Sequence, residues 1–265
     1  MEPHHPPRPP RRKRVRTMHL PGAGDLPPPY VDERLVEPET RHEMVRGRLI
    51  HAVPANPEHA DEHAELDYLA RATLTPGYAV ASDLLTRAGP GSDFATDTCI
   101  RREGIDPRTG SRYLEEVAFE VVDRQSRQHA TERAQDLASR GVRRIFAVFV
   151  GKKEVCEWSR SEDRFVPLAA DAAIEDPTLV YPLPVRALFD PVEADRAVGH
   201  ALEAKGNPVF DEARAEGRIQ AIELLCRVLE IPFGPRERAH LQRIDVDALA
   251  ALLAELEANR RWPDG

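Results

Sequence analysis

Apolar and polar positions along the chain follow two periods, and the switch between them marks its organisation. Asn56 caps a predicted helix with Pro57 at its first position, and Leu66, Leu69, Ala70 and Thr73 carry its apolar stripe to about Leu74. Three strands are predicted next, over 78–86, 94–101 and 113–123. Gly-Pro-Gly at 89–91 parts the first two, and a polar loop over 106–110 parts the second two. A helix is expected over 127–140, stopped by Gly141. Residues 145–150 (IFAVFV) are apolar on both alternating faces, the mark of a strand buried on both sides of a sheet. Residues 154–160 and 164–168 alternate as a hairpin. Ahead of all these, residues 41–53 read as a short helical turn, a break at Gly47 and a strand. Strands before and after a crossover helix predict an α/β (α+β) fold, a mixed sheet flanked by helices.

From Asp190 onward the pattern is helical only. Ile219, Ile222, Leu225, Cys226 and Leu229 share a face, and Pro232, Gly234 and Pro235 interrupt it. A last helix carries Leu249, Leu252, Leu253 and Leu256, with Asp245 or Asp247 as its cap. Two readings of this amphipathic extension stand: it packs on the body, or it pairs with a second copy or a protein partner. The expected division is therefore a tail over 1–40, a body over 41–190 and a helical extension over 191–265.

Charge changes the picture of the tail. The formal net charge is −8 over 265 residues, yet residues 1–17 alone sum to +5, which leaves −13 for the rest. Ten of the 24 prolines precede residue 39, so this stretch is expected to be extended or disordered, a solvated arm or a contact for a polyanion. Met18 offers a second translation start beside Met1. An aromatic share of 6% excludes a base-stacking surface built from many rings, and the acidic balance excludes a generic basic DNA-coating protein. No apolar stretch is long enough for a signal peptide core or a membrane span. Cys99, Cys156 and Cys226 lie far apart without metal-type spacing, which suits a reduced cytoplasm.

Candidate chemistry centres on Asp97 and Glu120, each inside a predicted strand. A carboxylate between Phe119 and Val121 is costly to bury unpaired, and two on neighbouring strands repel each other unless a cation lies between them. Hard oxygen ligands of this kind suit Mg²⁺ or Mn²⁺. The other reading is an edge strand with solvent-facing acids. His59 and His63, four apart on one helix face, have a zinc-compatible spacing, but Ala60 stands where the metalloprotease pattern needs Glu. Lys152, Lys153, Arg101 and Arg102 read as solvated edges or as contacts for backbone phosphate.

The order of motifs resembles the PD-(D/E)XK nuclease superfamily, and within it the Uma-two branch of bacterial restriction-type endonucleases, over about residues 41–190. The matching stretches are HEMVRGRLI (42–50), NPEHADEHAEL (56–66), FATDTCI (94–100), FEVVDRQS (119–126) and RGVRRIFAVFV (140–150). The resemblance implies a restriction-endonuclease-like fold, a DNA substrate and a Mg²⁺ (or Mn²⁺) ion held by Asp97, Glu120 and the main-chain carbonyl of Val121. It further implies Glu43 as an outer-shell acid from a first helix and His59 as a site-lining group, which also reads as a locally capped helix-start histidine. The superfamily's lysine position is Val122 here. In the branch that lysine moves to the following helix, where this chain has Arg133, a group that neutralises phosphate charge but cannot act as a base. Thr96 replaces the branch's Pro, and Asp123-Arg124 its Ser-Pro. A second function class follows from these departures: a catalytically degenerate nuclease-fold protein acting as a binding, regulatory or assembly module.

Overall fold

The computed structural model describes residues 42–51, 57–123 and 126–263. The basic tail, the Asn56 cap and Arg124 lie outside the described residues. The described residues divide into two compact units, one reaching to residue 63 and resuming over 79–168, the other of residues 64–78 and from 169 onward.

The first unit is built on β1 (His42–Val45), β2 (Arg48–His51), the start of α1 (Pro57–Thr73), β3 (Tyr78–Gly89) and β4 (Ser92–Arg102). It continues with β5 (Ile105–Asp106), β6 (Ser111–Arg112), β7 (Glu115–Val122), α2 (Arg127–Arg140), β8 (Arg144–Phe149), β9 (Glu154–Ser159) and β10 (Arg164–Pro167). One sheet runs in the order β10-β9-β8-β7-β4-β1-β2, with β3 also paired to β4. Its β7/β8 pair is parallel, whereas β4/β7, β8/β9 and β9/β10 are antiparallel. The sheet is thus mixed and flanked by helices, as expected.

The parallel pair follows from local sequence. Residues Ile145 to Phe149 of β8 are all buried, and so is nearly every residue of β7. α2 connects the two strands and lays Ala130, Ala134, Leu137 and Ala138 into a core shared with Ala118, Val122, Ile145 and Ala147. Ser126 caps the helix by accepting from the His129 backbone N–H, and Gly141 ends it at φ 114°. A Cβ there would meet only Leu114 at 3.6 Å, so the requirement for glycine is one of backbone conformation rather than space. Gly141→Ala is accordingly expected to destabilise the fold by about 1–2 kcal/mol, the cost of forcing a side chain into the left-handed region. Urea unfolding measures this directly.

One expected element is different. Residues 42–51 do not start with a helical turn: β1 and β2 form an antiparallel hairpin, with Val45 opposite Arg48. Arg46 and Gly47 both have positive φ (52° and 75°), the signature of the two-residue turns that match strand twist. Tertiary contacts hold that turn. The Gly47 N–H donates to the Gly91 carbonyl, and the Arg46 side chain donates to Asp136 and Gln135 of α2. The small β5/β6 hairpin within the polar loop was likewise not expected.

In the second unit, the end of α1 buries Leu66, Leu69, Ala70 and Thr73, the stripe read from the sequence. β11 (Ala173–Ile174) pairs with β12 (Leu183–Pro184), followed by α3 (Pro191–Ala204), α4 (Pro208–Val228), α5 (Pro235–Leu241) and α6 (Val246–Asn259). Ile222, Cys226, Leu241, Leu249, Leu252 and Leu256 close a helical core of their own. Asp245, not Asp247, caps α6 by accepting from the Ala248 N–H at 2.8 Å.

Candidate active site

β4 and β7 bring the two carboxylates together. Their ladder pairs Thr98 with Phe119, so the next antiparallel step sets Asp97 opposite Glu120. There a side chain enters the pairing: Asp97 Oδ2 accepts from the Val121 N–H at 2.6 Å. β1 delivers Glu43, whose Oε1 accepts from the Ala95 N–H at 2.9 Å. Glu43 therefore comes from a strand, not from a helix.

Arg133 reaches this cluster from α2. Its Nε donates to Glu120 Oε2 at 2.8 Å, and its Nη2 to Glu120 Oε1 at 3.2 Å. Nη1 donates to Glu43 Oε2 at 2.8 Å, and Nη2 also donates to the Ala95 carbonyl. The guanidinium carbon lies 4.2 Å from the centre of the Phe94 ring, a cation–π contact. Glu120 and Arg133 are both buried, Asp97 only partly. Val122, at the superfamily's lysine position, packs instead in the apolar core with Ala130 and Ala134.

From α1, His63 Nε2 lies 2.6 Å from the Asp97 carbonyl oxygen, which can only accept. The His59 ring is edge-on to it at 6.2 Å. The sequence offered His63 only as a zinc ligand. Among the described residues no three His, Cys, Asp or Glu side chains converge as a metal cage, which counts against zinc. Two further residues were missed. Phe94 supports Arg133, and His129, one helical turn before Arg133 on the same face, is half-buried and interacts with Arg133, Glu43, Glu132 and Arg48. The i, i+4 spacing from Arg133 was the available signal for His129. Of the basic residues read as phosphate contacts, Arg102 is paired with Glu116, and Lys152 and Lys153 are exposed.

Burial dominates the electrostatics. It pushes the Glu120 carboxyl up to about 8 against the pull of Arg133, with Asp97 and Glu43 adding to the rise. Burial also raises Asp97, opposed by Arg133, the Val121 N–H and the two histidines. The His129 imidazole is held low by burial and by Arg133. Because the Glu120 pKa in the fold lies above its ordinary 4.5, its contribution to stability is complete below about 4.5 and lost as pH rises through about 8. Glu120→Gln should therefore flatten the decline of melting temperature from about pH 5 to about pH 9. An unaltered decline in a scanning-fluorimetry series would contradict this.

The donor set suits one hard divalent ion. Two carboxylates, Glu120 and Glu43, pair with the one guanidinium, and Asp97 lies near enough to feel its charge. Mg²⁺ binds through one or two carboxylates and keeps several waters, so it needs no all-protein cage.

No family model and no curated protein matches the sequence. Among solved structures, a candidate nuclease belonging to DUF820 from Anabaena variabilis ATCC 29413 is similar at a TM-score of 0.48 and 14% identity. The likeness covers 59% of this chain and 93% of that one. Among the described residues no helix is long and apolar enough to cross a membrane.

Proposed function

We propose that the protein is a divalent-metal-dependent nuclease that hydrolyses phosphodiester bonds of DNA. The observation that carries this reading is the meeting of Asp97 and Glu120 on neighbouring strands, with Glu120 and Glu43 gripped by the one guanidinium of Arg133, where burial and neighbouring acids push the Glu120 carboxyl up as functional sites commonly do. Asp97, Glu120 and the Val121 carbonyl would hold Mg²⁺ or Mn²⁺. When bound, the ion supplies Lewis-acid polarisation of a phosphoryl oxygen. The chain's own residues prepare that chemistry. The Val121 N–H orients Asp97, His63 anchors the Asp97 main chain, and Glu43 fixes Arg133 from the far side. His59 lines the same approach. The test is incubation of the purified protein with DNA and Mg²⁺ or Mn²⁺, beside Asp97→Ala and Glu120→Ala. A cytoplasmic location belongs to the same proposal, supported by three free, buried thiols.

A second reading has its own observation. Arg133 engages both oxygens of Glu120, as a protein would that neutralises the cluster without a metal. In that case the chain is a non-cleaving nuclease-fold module that binds or regulates, with its C-terminal helices serving a homodimer or a protein partner. Calorimetric titration with Mn²⁺ separates the readings: binding that Asp97→Ala abolishes favours the nuclease.

A further inference from the structure

A guanidinium presents five N–H groups in a planar fork. Four of those of Arg133 are taken by protein acceptors: two by Glu120, one by Glu43 and one by the Ala95 carbonyl. Its face rests on Phe94, and its side chain is only 6% exposed. A phosphate approaching the site would meet donors already turned inward. Each Glu120 oxygen, in turn, has a lone pair committed to Arg133 and little freedom to rotate toward an ion.

We propose that Arg133 is a positioning residue, a built-in counter-cation that holds Glu120 and competes with a divalent ion for its oxygens. The inference rests on the nuclease reading for the identity of the ion site, but concerns what governs access to it. Lysine would not serve in the same way. Its ammonium is a point charge that cannot bridge both oxygens of Glu120 while also reaching Glu43 and Ala95. The affinity of the DNA-free protein for the ion is therefore set by how firmly the fork grips Glu120.

The experiment uses the full chain without DNA and Mn²⁺ alone as probe, read by calorimetry and by the shift of melting temperature on adding Mn²⁺. Arg133→Gln should bind Mn²⁺ about 10-fold or more tighter than wild type, on the scale of outer-shell effects on metal affinity. Its Mn²⁺-induced thermal shift should also be the larger. Arg133→Lys, which keeps the charge but breaks the fork, should shift in the same direction by less, and it decides the matter if Arg133→Gln does not fold. The gain should vanish in the Glu120→Gln/Arg133→Gln double variant. Affinities within about twofold of wild type for the single variants, or a gain that persists without the Glu120 carboxylate, would overturn the proposal. Cleavage is scored separately. Wild-type protein that never cuts DNA while the Mn²⁺ gains appear would sink the nuclease reading and leave this inference intact.

Discussion

Asp97→Asn and Glu120→Gln are each expected to lower Mg²⁺-dependent DNA cleavage by more than about 100-fold, beyond the usual cost of losing an outer-shell partner. These isosteric changes are sharper than truncation to Ala. Asn keeps a side-chain oxygen for the Val121 N–H, and Gln keeps one for Arg133, so both retain an acceptor at the distances seen here, 2.6 and 2.8 Å. What each removes is the negative charge that attracts an ion. Metal-dependent cleavage of a plasmid, quantified against wild type at equal folded concentration, is the measurement. Variants that cut as fast as wild type would exclude this site, and a wild type that cuts nothing would favour the non-cleaving module.

The largest effect on stability is expected at Arg133. Arg133→Met removes the counter-charge from a buried carboxylate and leaves Glu120 uncompensated, a class of change that costs about 3–5 kcal/mol. The Nη2 bond to Ala95 and the Phe94 contact are lost as well. Protonation limits the penalty. Burial already raises Glu120 to about 8, and without Arg133 it rises further, so the deficit should be larger at high pH and smaller at low pH. Glu120→Gln/Arg133→Met should recover at least about half of the loss, because a neutral amide is cheaper to bury unpaired than a carboxylate. Guanidinium unfolding of the two single variants and the double variant measures the coupling. A coupling near zero would mean that the Glu43 and Ala95 contacts hold Arg133 without help from Glu120.

Elements whose evidence is local were legible in the residues alone. The apolar run over 145–150, five of whose residues fall in β8, has no polar face to offer solvent, so only burial on both sides accommodates it. α2 carries its stop in Gly141, and α6 a cap narrowed to Asp245 or Asp247, of which the fold uses Asp245. A strand period with a helix period between two such strands is enough for a mixed sheet with helices, and for placing Asp97 and Glu120 on neighbouring strands.

Elements whose evidence is distant were not. Residues 42–51 contain no strong alternation. They become a hairpin because Arg46 and Gly47 find partners on Asp136, Gln135 and Gly91, some 44 to 90 positions along the chain. The same tertiary step turned Glu43 into a strand residue facing α2. It also joined Arg133 to three acceptors drawn from three different strands. Which residue neutralises which is a matter of distance and burial, and neither is written in spacing along the chain. The sequence by itself thus determined the mixed sheet with its flanking helices, and offered Asp97 and Glu120 as the acids to look for. Only the tertiary structure decided that Arg133, which the resemblance sets at the phosphate, turns its donors to Glu120, Glu43 and Ala95 instead, because Coulomb energy depends on separations that folding alone creates.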